Sequence, residues 1–187
     1  MLRVVLCLVG TLAMLGFGLA KADERVGDFL VSSKAIMLDG EIGNGTIADF
    51  HRALGRLPGA KVLYLHSPGG DVDIALKLAA EVRQLGMSTM IPRGYACYSA
   101  CSFLFFAGRE HVAHGKLGVH RVASKGMPDE QVYDGDVRAA LAKYGCPKGV
   151  IKAMVSTPSS RLHVFSPHEI DTLAINRQAR NSPLASL

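Results

Sequence analysis

The stretch Lys61–Asp71, KVLYLHSPGGD, limits the fold more than any other part of the chain. Lys61–His66 is a short, nearly continuous apolar run, the pattern of a strand covered on both faces. Ser67-Pro68-Gly69-Gly70 then forces a turn, and Asp71 is a residue type that caps a helix start. From Val72 to Leu85 the apolar residues Ile74, Leu78, Ala79 and Val82 recur at helical spacing, and Gly86 ends the run. Met87–Pro92 is apolar again and reads as the next strand. Strand, glycine turn, capped helix and strand make a βαβ unit, which implies parallel pairing.

The same punctuation runs along the rest of the chain. Val31–Leu38 reads as a strand ending at Asp39-Gly40. Thr46–Leu57 carries a helical stripe of Ile47, Phe50, Ala53, Leu54 and Leu57, stopped by Pro58-Gly59. A loop over Arg93–Tyr98 leads to an apolar helix around Ser99–Ala107, closed by Gly108. Strands follow at His111–Ala113 and Leu117–Val122, then helices over Glu130–Tyr144 and Lys148–Val155. Ser166-Pro167-His168-Glu169 is a capping box with Pro at the first helical position, opening a helix to about Leu173. No linker is long enough to divide the chain. The expectation is one α/β domain over residues 23–176 with a mostly parallel sheet, and a flexible tail over 177–187.

Residues 1–22 read as an address. Arg3 precedes an apolar run from Val4 to Ala20, and Ala20-Lys21-Ala22 is a small-x-small cleavage signal before Asp23 and Glu24. Cleavage between Ala22 and Asp23 places the domain in the periplasm or outside the cell. The alternative is an uncleaved membrane anchor through residues 4–20, at the short limit for a span. Cys7 comes too early in the apolar run to be a lipoprotein acceptor.

Charge and composition exclude nucleic acid as the partner. Of the 21 Lys and Arg, Arg3 and Lys21 belong to the acid-free first segment, and the remainder exceeds the 16 acids by three. Trp is absent and aromatics are 6%, so no base-stacking surface is expected. His111, His114 and His120 are ligand types. Without an HExxH pattern or an acid at ligand spacing they do not predict a metal site, and His111 and His114 read as a solvated loop around Gly115.

Outside the first segment the cysteines are Cys97, Cys101 and Cys146. In an oxidising compartment one pair closes and one thiol is left. Cys97 and Cys101 lie on either side of a helix start, within reach of the about 7 Å Cα separation a disulfide allows. A Cys101–Cys146 bridge and small buried thiols are the alternatives.

Two glycine-containing segments each follow a strand and open a helix. The first, Ser67–Asp71, has neither the phosphate-loop pattern nor GxGxxG; its glycines allow close backbone approach to a substrate oxygen. The second runs from Gly94 into Cys97-Tyr98-Ser99-Ala100-Cys101 and sets Ser99 at a helix start, where free N–H groups favour an oxyanion. His120 follows on a strand. A serine, a histidine and two backbone donors are the parts of acyl transfer, although caps, turns and structural histidines use the same residue types.

Taken together, Tyr64–Arg121 resembles the Clp protease proteolytic subunit and its relatives in the Clp/crotonase superfamily, with a secreted, Clp-like group nearest in pattern. The shared features are the SPGG turn at Ser67–Gly70, the C-x-S-A-C motif at Cys97–Cys101, the apolar helix over Phe103–Gly108 and His120 on the next strand. The loop before His120 is shorter than in the Clp pattern. The resemblance implies a spiral of β-α(-β) units around a mostly parallel sheet. It implies serine-type hydrolysis of a peptide or protein substrate without metal, nucleotide or other cofactor. Ser99 matches the nucleophile, His120 the general base, and the N–H groups of Gly70 and Ala100 the oxyanion donors. It also implies a homo-oligomer.

One departure stands out. The family orients its histidine with a carboxylate shortly before the capped C-terminal helix, and here Ser160 stands about where Asp is expected. Glu169 is engaged by the capping box, and Asp171 reads as solvated. The resemblance therefore leaves a catalytically weak or inactive binding or scaffold protein as the alternative. A crotonase-type acyl-thioester enzyme is a third reading, but it gives a Ser–His pair no role.

Overall fold

A computed structural model describes residues 23–122, 134–179, 182 and 184. Two sheets organise it. The larger has six strands in the order β1 (Glu24–Val26), β2 (Phe29–Val31), β3 (Ile36–Asp39), β4 (Val62–His66), β5 (Ser88–Ile91) and β7 (His111–Ala113). β1, β2 and β3 form an antiparallel meander, whereas β3, β4, β5 and β7 pair in parallel. The smaller sheet has the order β6 (Ala96–Tyr98), β8 (Lys116–Val119) and β9 (His163–Val164), with β6 and β8 parallel.

The two sheets are threaded by one repeating turn. β5 leads directly to β6, and β7 directly to β8. In earlier turns single bridges replace full strands: Ile42, past β3, pairs with Gly70, and Ser67, past β4, pairs with Cys97. Each turn thus lays a strand in the large sheet, then a segment along the small one, and returns through a helix. The expected spiral of β-α(-β) units with mostly parallel pairing is the observed architecture.

Helices α1 (Thr46–Arg56), α2 (Val72–Gln84) and α3 (Cys101–Ala107) make these returns. α1 buries Phe50 and Ala53 as its stripe requires. The Asp71 carboxylate caps α2 by accepting from the Ile74 N–H at 2.9 Å, and Gly86 at φ +64° closes it. α2 buries Ala75, Leu78, Ala79 and Val82; Ile74 is only half-buried. Every residue of α3 is buried, and α3 packs on α2 and β5 at the centre of the core. Helices α4 (Asp134–Lys143), α5 (Lys148–Ser156) and α6 (Pro167–Thr172) close the rest. α6 begins with the expected capping box between Ser166 and Glu169. The expected helix start at Glu130 lies outside the described residues.

Several expectations are corrected. Val31–Leu38 is two strands, because Ser32 turns the chain through its bond to Ala35 and splits β2 from β3. The stretch Arg93–Tyr98 is not all loop, since Ala96–Tyr98 pairs with β8. His111 is buried on β7 against Phe105 and Phe106, while His114 alone is exposed. β9 is too short to show as a periodic pattern. In the C-terminal stretch, Arg177 pairs with the His111 backbone in both directions, Ser182 bonds to Glu110, and Leu184 is buried.

Candidate active site

The glycine turn is fixed from both sides. The Ser67 hydroxyl accepts from the Gly69 N–H at 3.1 Å, and the Tyr98 N–H donates to the Ser67 carbonyl at 3.0 Å. On the other side Ile42 N–H donates to Gly69 O at 2.7 Å and Asp71 N–H to Ile42 O at 2.8 Å. Gly69 and Gly70 have φ of +101° and +140°, where only glycine is unstrained. A Cβ on Gly70 would stand 2.0 Å from the Ile42 carbonyl oxygen. The absence of side chains is therefore structural as well as conformational.

Ser99 lies just beyond β6 and before α3, not in the helix. Its φ is +54°, a left-handed conformation that costs a non-glycine residue about 1–3 kcal/mol. Three contacts hold it there. Its N–H donates to Gly118 O at 2.9 Å, and its carbonyl accepts from both the N–H and the hydroxyl of Ser102, at 2.9 and 2.7 Å. The Cys97–Cys101 disulfide spans the turn with a Cα separation of 5.3 Å, as the cysteine positions led us to expect. Cys146 stays a buried thiol, and burial pushes its pKa up to about 12, so it stays protonated and unreactive.

The two turns touch. A Cβ on Gly69 would lie 2.8 Å from the Ser99 Cβ and 3.0 Å from the Ala100 nitrogen. Among the described residues the N–H groups of Gly70 and Ala100 take part in no backbone hydrogen bond, whereas those of Asp71 and Ser99 do. Two free donors thus belong to turns in van der Waals contact beside Ser99.

His120 follows β8 directly rather than lying within a strand. β6 and β8 are parallel neighbours with Tyr98 opposite Gly118, so Ser99 and His120 leave the same end of adjacent strands. The half-buried His120 donates from Nδ1 to the Arg121 carbonyl oxygen at 2.8 Å. A carbonyl only accepts, so Nδ1 carries the proton and Nε2 of the neutral ring keeps its lone pair. The Ser99 hydroxyl makes no hydrogen bond among the described residues.

Ser160 does not fill the place of the third group: it is exposed, and the ring N–H already has Arg121 as its acceptor. Glu169 and Asp171 are elsewhere engaged or solvated. Glu169 bonds both Ser166 and His163, and the Ser166 bonds hold its carboxyl below the usual range. Asp171 is exposed on α6. Sequence reasoning missed the His163–Glu169 pair, at 2.9 Å, and the Arg121 carbonyl. A main-chain acceptor leaves no trace in residue type.

No family model and no curated protein matches the sequence. Solved structures do match in fold. A Ser-to-Ala mutant of the 1510-N membrane-bound stomatin-specific protease aligns over 75% of this chain and 75% of its own, at 14% identity and a TM-score of 0.56. A Lys-to-Ala mutant of the same protease, in complex with a substrate peptide, aligns over 82% and 80%, at 15% identity and a TM-score of 0.54. ClpP1 from Listeria monocytogenes aligns over 75% and 86%, at 14% identity and a TM-score of 0.58. The chain therefore has an α/β fold with mostly parallel sheets, similar to ClpP/crotonase-like structures.

Proposed function

We propose that this chain is a serine-type peptidase of Clp-like architecture that works outside the cytoplasm. The observation that carries the reading is the placement of Ser99, in a left-handed turn at the end of β6, beside His120 at the same end of β8. The Ser99 hydroxyl attacks the substrate carbonyl carbon while His120 Nε2 takes its proton. The carbonyl oxygen becomes an oxyanion that accepts from the N–H groups of Gly70 and Ala100. Collapse of this intermediate breaks the C–N bond, and the histidine proton passes to the leaving amine. Water then hydrolyses the acyl-serine by the same route. The fold shared with two proteases supports this reading without assigning the residues.

A fluorophosphonate probe tests it. Folded protein labelled at Ser99, with loss of labelling in Ser99→Ala and His120→Ala, is the expected result. No labelling of folded protein favours the second reading, a binding or scaffold protein on the same fold. That reading draws on the neutral partner of His120, which offers an imidazolium no charge. Signal-segment removal between Ala22 and Asp23, and assembly into a homo-oligomer, complete the proposal. N-terminal sequencing of exported protein checks the first: a sequence starting at Asp23 supports cleavage, and one starting at Met1 supports an anchor.

A further inference from the structure

We infer that the open edge of β9 is where two copies of this chain join, strand against strand. The inference gives a surface to the homo-oligomer proposed above and rests on that assembly, not on the peptidase chemistry. β9 pairs with β8, and among the described residues no strand lies on its other side. The Phe165 N–H donates to Leu117 O at 2.9 Å, and the register sets Gly118 opposite Val164 and Val119 opposite His163. In an antiparallel ladder, bonded and non-bonded pairs alternate. Phe165 and His163 therefore bond to β8, whereas the N–H and carbonyl groups of Leu162 and Val164 point away from it. No turn, loop or cap bond among the described residues uses those groups.

The side chains beside this edge are apolar and uncovered. A Cβ on Gly118 would meet Tyr98 Cδ1 at 2.8 Å and Leu162 Cδ2 at 3.1 Å, so Tyr98 and Leu162 share the Gly118 face of the sheet. Val164, directly opposite Gly118, lies on that face too. Leu162 is 38% and Val164 40% exposed, while Leu117, Val119 and Phe165 on the other face are buried. Ser160, Arg161 and Ser166, on either side, are exposed as well. Folded proteins commonly protect such an edge with Lys or Pro, and Leu162–Val164 has neither.

The edge is complementary to itself. Antiparallel pairing about a two-fold axis at His163 sets Leu162 opposite Val164 of the second copy, and Val164 opposite its Leu162. Both members of each pair direct their N–H and carbonyl outward, so each pair exchanges both bonds. Their side chains make apolar cross-strand pairs on one face. Arg161 falls opposite Phe165, so like charges do not meet there. The two His163 rings meet on the inner face, each with its own Glu169 at 2.9 Å. The small sheet then runs unbroken from β6 of one copy to β6 of the other. A contact centred on so short a strand is at the small end of specific interfaces, so the association is reversible.

Sedimentation of the exported protein over about a hundredfold range of concentration is the first test. Concentration-dependent association is expected, weakened at least about tenfold in Val164→Pro. That variant removes an outward N–H and leaves the ladder to β8 intact. Wild-type protein that stays monomeric overturns both this inference and the homo-oligomer. Association unchanged in folded Val164→Pro overturns the β9 edge alone. Cysteine pairing reads the register directly and decides even if Val164→Pro misfolds. Across the axis the Cα atoms at position 163 stand about 4.5 Å apart, within the span of a disulfide, whereas position 164 faces position 162. Under mild oxidation with diamide, His163→Cys should give a covalent dimer and Val164→Cys should not. Any other pattern of cross-linking overturns the pairing.

Discussion

His120 gives its Nδ1 proton to the carbonyl oxygen of Arg121, 2.8 Å away. A carboxylate in that position does two jobs: it fixes the tautomer and it stabilises the imidazolium. The Arg121 carbonyl does the first fully and the second only as a dipole. Removing or neutralising the acid of a serine protease triad costs up to about 10⁴ in rate. Turnover is therefore expected to be slow, and Ser99→Ala and His120→Ala each to abolish it. Because Nδ1 already has its acceptor, Ser160→Asp should change kcat by less than about threefold, under 1 kcal/mol of barrier. A gain of tenfold or more would mean that the histidine exchanges its partner for a carboxylate at position 160.

The contact between Gly69 and Ser99 makes a second prediction. Gly69→Ala sets a methyl 2.8 Å from both the Ser99 Cβ and the Tyr98 carbonyl oxygen, at φ +101°. Strain and overlap together should destabilise by at least about 1–3 kcal/mol and displace the Ser99 turn. Gly43 is the control, since a Cβ there meets nothing within 4 Å and its φ is unexceptional. Gly43→Ala should leave both the denaturation midpoint and fluorophosphonate labelling almost unchanged, while Gly69→Ala lowers both. Equal behaviour of the two variants would contradict the packing described.

Much of this arrangement was legible in residue order. The α2 start at Asp71, the α6 capping box and the break after Gly86 each depend on local hydrogen bonds or on φ, so neighbouring residues specify them. The order of the glycine turn, Ser99 and His120 was legible, but their places were not: Ser99 precedes α3 instead of starting it, and His120 follows β8 instead of lying within a strand. What failed was set at a distance. β6 is a strand only because β8 lies beside it, and His111 is buried only because α3 and the Arg177 segment cover it. The acceptor for His120 is a main-chain oxygen, which any residue at position 121 would carry.

The disulfide makes the third prediction. Cys97 and Cys101 enclose Ser99 in a very short loop, so cross-linking removes little unfolded-state entropy, about 2 kcal/mol. Its larger effect is local, since it helps hold Ser99 at positive φ. Mild reductant, or the double variant Cys97→Ser and Cys101→Ser, should lower the denaturation free energy by about that amount. It should also slow fluorophosphonate labelling by a larger factor than global stability explains. Labelling at the wild-type rate in reduced, folded protein would show that the hydrogen bonds to Gly118 and Ser102 suffice.

His111 is one contributor to the acid sensitivity of the fold. Its imidazole is 2% exposed and packs against Phe105 and Phe106, and burial, then the nearby Arg177 cation, lowers its pKa from 6.5 to about 4. The Gly108 and Ile175 carbonyls pull the other way, and Arg83 adds a further repulsion. The neutral ring is thus the native form. Above pH 6.5 neither folded nor unfolded chains protonate it, and the full stability is present. As pH falls from 6.5 toward 4 the unfolded chain takes up a proton that the folded chain refuses, so stability declines through that window. A shift of this size corresponds to about 3 kcal/mol at the end of the window. Urea denaturation at pH 7, 5.5 and 4 should show the decline, and His111→Phe should flatten it, whatever the variant's stability at pH 7. An unchanged slope in His111→Phe would assign the acid sensitivity to other groups.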